Sequence, residues 1–181
     1  MKAQSSWRTT LPRQSLSAGL RSWLREPGSL TRRCQARSTV FRVRLLRQQL
    51  APLAADEALA LGLPVGQQAW IREVCLEGDG QPLIFAHTAL PCLPRGRLTR
   101  WFARLGERSL GSLLFRHPGF RRGPLEFKRL SAADSLQQRA LAQLSTPPAT
   151  PLWARRSLHQ LGNQRVLVNE VFLPPLLEDR D

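Results

Sequence analysis

The stretch "AWIREVCLEGDGQPLIFAHTALP", residues 69–91, holds two runs rich in β-branched, aromatic and aliphatic residues on either side of "GDGQ". Asp-Gly between such runs is a strong hairpin signal, because both central positions of the favoured tight turn need a left-handed backbone. A second unit of the same kind closes the chain, with "LWARRSLHQL" (152–161) and "VLVNEVFLP" (166–174) around "GNQR". "STVFRVRLLRQ" (38–48) and "LEFKRL" (125–130) add further strands. Helical spacing marks Ser15 to Glu26, with Leu16, Leu20, Trp23 and Leu24 on one stripe, and "ADEALALG" ending on Gly62. Two short helices follow in "LTRWFARLG" and "SLGSLLF", the second with Ser109 as its N-cap. Strands that pair with their chain neighbours, with helices before and between them, predict an α+β fold: an antiparallel sheet of about six strands with helices packed on it.

The chain has 181 residues, 42% of them hydrophobic, which suits one domain spanning residues 15–175. Residues 1–14 are polar, basic and aperiodic, and read as a flexible tail; they also have the composition of a transit peptide. Residues 131–151 read as a helical surface insertion, with Leu136, Ala140, Leu141 and Leu144 on one stripe before "STPPATP" breaks it. Residues 176–181 form a charged tail. There is no apolar run of membrane-spanning length and no secretory signal, so a cytoplasmic protein is expected. Cys34, Cys75 and Cys92 form no CxxC motif, and His87, His117 and His159 stand singly, so neither a metal nor a cofactor is expected. The net charge is +14, yet only Lys2 and Lys128 of the 27 basic residues are lysines, and the aromatic residues do not alternate with arginines. That pattern argues against a nucleic-acid interface and for a general attraction of small anions.

Two ions sit where ions are costly. Period-2 alternation puts Glu170 on a strand face with Val166, Val168 and Phe172, and Arg72 on a face with Trp70, Val74 and Leu76. Each would lose hydration worth several kcal/mol unless a partner meets it. Opposite sign makes them natural partners, either as a buried salt bridge that fixes strand register or as a grip on an anionic ligand; parity leaves both open.

The residues around these ions resemble the chorismate pyruvate-lyase family. The matching motifs are "WIRE" (70–73), "DGQP" (79–82), "AHTALP" (86–91), "LGERSLGSLLF" (105–115), "LWARRS" (152–157) and "NEVFLP" (169–174), in one order and spacing from about residue 20 to 175. The resemblance implies removal of pyruvate from chorismate to leave 4-hydroxybenzoate, at the start of ubiquinone synthesis. It implies no cofactor, chorismate as the partner, no nucleic acid or membrane span, and a monomer. Arg72 and Glu170 would bind the hydroxyl end of the product and carry the chemistry, while the main-chain amides of Leu30 and Leu110 would meet the ring carboxylate. Leu110 follows the N-cap Ser109, where a free N–H favours an anion. The family often carries arginine where this chain has His87, so the resemblance gives His87 no role. The two arginines of "ARRS" differ in parity, so at most one faces the site. A small-molecule sensing domain is the rival reading, set back by the absence of a helix-turn-helix segment.

Overall fold

The two hairpins form as expected and meet side by side. In the computed structural model, which describes residues 6–13, 16–92, 96–111, 114 and 118–178, β2 (Gln68–Gly78) and β3 (Gln81–Pro91) turn at Asp79 and Gly80, with φ of 52° and 81°. β6 (Trp153–Leu161) and β7 (Gln164–Phe172) turn at Gly162, φ 59°. With β1 (Phe41–Pro52), β4 (Arg121–Arg122) and β5 (Glu126–Arg129) they form one antiparallel sheet of seven strands. Its order is β1-β2-β3-β7-β6-β4, with β5 also pairing β6. β3 and β7 are thus the central strands.

The helices are α1 (Ala18–Leu24), α2 (Leu30–Arg37), α3 (Ala55–Leu61), α4 (Arg97–Ala103) and α5 (Ser135–Leu141). Leu110, Gly111 and Leu114 are also helical, and the remainder of "SLGSLLF" falls partly outside the described residues. Ser17 and Ser29 accept the amides of Leu20 and Arg32, which fixes the starts of α1 and α2. Gly62 ends α3 in a left-handed conformation, as its position predicts.

Alternation gives the sheet two apolar faces. On the front face, Trp70, Val74, Ile84, Leu90, Val168 and Phe172 meet Trp23 and Leu24 of α1, Leu30 and Cys34 of α2, and Leu98 and Phe102 of α4. On the back face, Ile71, Cys75, Phe85, Leu167 and Val171 meet Ala58 and Leu61 of α3 and Ala140 of α5. Burying each large aliphatic or aromatic side chain contributes on the order of 1.5–3 kcal/mol, so both covered faces hold the sheet between its helices.

Two expectations need correction. Residues within the expected loose tail are docked: Trp7 and Leu11 are buried, and Arg8 exchanges backbone hydrogen bonds of 2.9 and 2.7 Å with Phe127. The expected surface insertion also contributes to the core, since Gln137 and Ala140 of α5 are buried against the back face.

Candidate active site

Four front-face residues on β2, β3 and β7 surround a point where the cover over the sheet is incomplete, which we read as a hollow. Ala86 on β3 and Glu170 on β7 lie directly opposite each other, and both are partly exposed although they sit mid-strand in the centre of the sheet. Val74, opposite Ala86 on β2, and Val168 flank them as buried apolar walls. Solvent reaches Ala86 and Glu170 in the middle of the sheet, although Ala86 also packs against the front-face core.

Arg72 stands at one side of this hollow. It is 2% exposed, and its guanidinium donates to Gln48 Oε1 at 2.8 Å and to the carbonyl of Arg108 at 2.9 Å. Burial pushes its pKa down to about 10, so it stays cationic at neutral pH. Among the described residues no carboxylate pairs with it. A buried arginine held only by neutral acceptors has lost hydration without gaining a counter-ion, which is the condition of a group awaiting an anionic ligand.

Glu170 has a partner, but not the one its sequence suggests. Arg155, directly opposite on β6, donates Nε to its carboxylate at 2.6 Å. Arg155 is 1% exposed and also donates to the carbonyls of Glu26 at 2.7 Å and Leu24 at 3.4 Å, so it ties the sheet to the end of α1. Arg72 and Glu170 share the front face yet stand on strands separated by β3, with Arg72 in register with Thr88 and Glu170 with Ala86. Strand spacing and rise put their Cα atoms roughly 12 Å apart, far enough for two side chains to approach opposite sides of one small ring.

Leu30 and Leu110 each occupy the first position of a helical segment, where the N–H has no acceptor within its own helix. Their neighbours Thr31 and Ser109 are joined by a buried hydrogen bond of 2.6 Å between hydroxyls, which draws the two helix starts together. The front face continues through Arg122, whose Nε donates to Ser157 Oγ at 3.2 Å and whose Nη1 donates to the carbonyl of Pro27 at 3.0 Å. Ser157 Oγ lies 3.0 Å from His159 Nε2. Burial, with Arg122 and Arg155 nearby, pushes His159 down to about 4, so this ring is neutral near pH 7. The front face is therefore rich in fixed positive charge. Burial also pushes the Cys34 and Cys75 thiols up to about 12, which makes them packing residues and not nucleophiles.

His87 belongs to the back face. Its Nδ1 lies 2.8 Å from Glu73 Oε1 and its Nε2 lies 2.7 Å from Glu57 Oε1. Placed between two acids, which raise its pKa against the effect of burial, the ring cross-links β3 to β2 and α3. Parity separates the two arginines of "ARRS" as expected: Arg156 faces back, 2.7 Å from Glu126, with its guanidinium 4.6 Å from the Trp7 ring. Arg155 is the front-face residue of the pair, and parity alone left it unassigned.

Residues 1–181 match the family model described as Chorismate lyase. A "Probable chorismate pyruvate-lyase" of Dechloromonas aromatica is 55% identical over 173 residues, covering 96% of this chain and 97% of that protein. A protein of the same name from Aromatoleum aromaticum is 44% identical, covering 96% and 94%. Among solved structures, PhnF from Mycobacterium smegmatis is similar with a TM-score of 0.58 at 20% identity, covering 82% of this chain and 64% of that one. A GntR-family transcriptional regulator from Bacillus cereus gives 0.55 at 15% identity, covering 78% and 96%. At such identities the likeness is one of fold alone.

Proposed function

Because the chain belongs to the chorismate lyase family, we propose that it removes pyruvate from chorismate to leave 4-hydroxybenzoate, the first step of ubiquinone synthesis, as a monomer in the cytoplasm. No described helix is long and apolar enough to cross a membrane.

The reaction breaks the ether bond between a ring carbon and the enolpyruvyl oxygen. The neighbouring ring carbon gives up its proton, the ring becomes aromatic, and the departing enolate gains a proton to become pyruvate. Aromatisation supplies the driving force, so the protein has to hold a flexible dianion in a reactive shape and offset charge growing on the leaving oxygen. Arg72 stabilises the leaving enolpyruvyl group and, after it, the hydroxyl end of the product. Glu170 holds the ring hydroxyl; the chemistry allows the proton to pass to Glu170 or, equally, intramolecularly to the enolpyruvyl methylene. The amides of Leu30 and Leu110 take the ring carboxylate, where helix starts favour anions. Arg155 acts as a positioning residue, holding Glu170 at the hollow through its 2.6 Å bond.

The observation that carries this reading is the buried, carboxylate-free Arg72 on the same sheet face as the partly exposed Glu170. The test is incubation of purified protein with chorismate, followed by the ultraviolet absorbance of 4-hydroxybenzoate. Product formation that largely disappears in Arg72→Ala and Glu170→Gln supports it. Tight binding of the aromatic acid with no turnover would instead select a sensing domain.

A further inference from the structure

Behind the sheet, a cavity of about 840 Å³ opens between α3, α5 and the docked N-terminal segment. Its apolar wall includes Leu59, Leu63, Val65, Leu130 and Leu136, with the Trp7 ring at one side. It lies across the sheet from the hollow already described. A space of this size lined mainly by hydrocarbon can enclose most of a small organic molecule.

Asn169 also lines this cavity. It follows the pattern of its strand, which sends Glu170 forward and Asn169 back, in register with His87 and Arg156. The residue is 3% exposed, yet its side-chain amide makes no hydrogen bond with any described residue. Its amide atoms are not fully enclosed and open onto the cavity, so they are accessible to a ligand there. Its carbonyl and amino group together offer one acceptor and one donor side by side.

The charged groups on the wall are already paired as ions, although Arg139 Nε makes no hydrogen bond within its pair. Glu57 meets His87 at 2.7 Å and accepts the Ala54 amide at 3.1 Å. Asp56 accepts the Trp7 indole N–H at 3.1 Å and lies 3.7 Å from Arg156. Lys128 pairs with Asp134, and Arg139 lies 2.7 Å from Glu73. An ionic ligand would have to break one of these pairs, whereas an uncharged one would not.

We propose that the back cavity is a second ligand site, for a neutral, flat, largely apolar molecule bearing a carboxamide or lactam edge that pairs with the side-chain amide of Asn169. The ring or chain of such a ligand fills the space between α3 and α5, and its amide edge supplies the donor and acceptor that Asn169 lacks. The site is independent of Arg72.

The probe is 2-naphthamide, titrated calorimetrically into the full chain, with 2-naphthoate as the charged control. The wild type should bind the amide, and Asn169→Leu should weaken it by roughly tenfold or more, as expected for the loss of two neutral hydrogen bonds. Leu59→Glu, at an exposed rim position that need not disturb folding, should weaken it likewise. Arg72→Met should bind it with unchanged affinity, and 4-hydroxybenzoate should not compete. Absence of binding up to the solubility limit, equal affinity in the Asn169→Leu and Leu59→Glu variants, preference for the naphthoate, or displacement by 4-hydroxybenzoate would each overturn the proposal.

Discussion

Replacing Arg72 by methionine should raise the stability of the unliganded protein while destroying its hold on the ligand. The fall of the Arg72 pKa from 12.5 to about 10 corresponds to about 3 kcal/mol of hydration lost by the charged form. That cost is present at every pH below about 10 and relaxes above it, because the folded chain gives up this proton before the unfolded chain does. Methionine fills a similar space without it. Against this, Gln48 Oε1 and the Arg108 carbonyl lose their donor, at about 1–2 kcal/mol together. The net gain of about 1–2 kcal/mol should lift the melting temperature by about 2–6 °C for a chain of this size. Binding should move the other way. A guanidinium has five N–H groups, and protein acceptors engage Nη1 and Nη2, so donors remain for a ligand. Losing two charge-assisted bonds costs roughly 3 kcal/mol or more, which is a loss in 4-hydroxybenzoate affinity of at least about 100-fold. Thermal melting with and without the product reads both effects, since a bound ligand raises the midpoint only in a protein that grips it. A variant that melts well below the wild type, or that is stabilised equally by product, would refute this reasoning and make Arg72 an ordinary structural cross-link.

Glu170→Gln should keep the fold and lose most lyase turnover, read as product absorbance from chorismate. Arg155→Met removes the partner of a partly buried acid and two stitches to α1, so it should cost about 3–5 kcal/mol in urea unfolding as well as activity. Leu110→Pro deletes one N–H at a first helical position, where proline is tolerated, so product affinity should drop roughly tenfold or more with helix content retained by circular dichroism. For His87, burial opposes the charged ring, but its contacts with Glu57 and Glu73 outweigh it and raise the pKa above 6.5. The stability this pair of contacts contributes is therefore complete below pH 6.5 and lost as pH rises through the higher folded value, and His87→Asn should flatten that alkaline limb in urea melts.

The hairpins were legible because turn chemistry and alternation are local signals. The tight turn at Gly162 even fixes the register of β6 against β7: Leu161 opposes Gln164, and counting outward without interruption brings Arg155 opposite Glu170. That partner was therefore available from the sequence by counting. The first hairpin defeats the same count. From Gly78 opposite Gln81, uninterrupted pairing would bring Glu73 opposite Ala86, but an irregularity between Leu76 and Glu77 shifts it by one and sets Glu73 against His87. Nothing local in the sequence announces that shift. The separation of Arg72 from Glu170 was equally hidden, because it depends on β7 pairing with β3 and not with β2, a choice made by the whole sheet. The docking of Trp7 and Leu11 had no signal either, since isolated apolar residues in a polar stretch show no period.

The central claim, that Arg72 and Glu170 grip one aromatic ring on the front face, is tested most directly by a crystal structure with 4-hydroxybenzoate bound. The account predicts the ring hydroxyl within hydrogen-bond distance of both the Arg72 guanidinium and the Glu170 carboxylate, with the ring carboxylate on the amides of Leu30 and Leu110. A product molecule lodged behind the sheet against Asn169, with Arg72 still bonded only to Gln48 and Arg108, would contradict it.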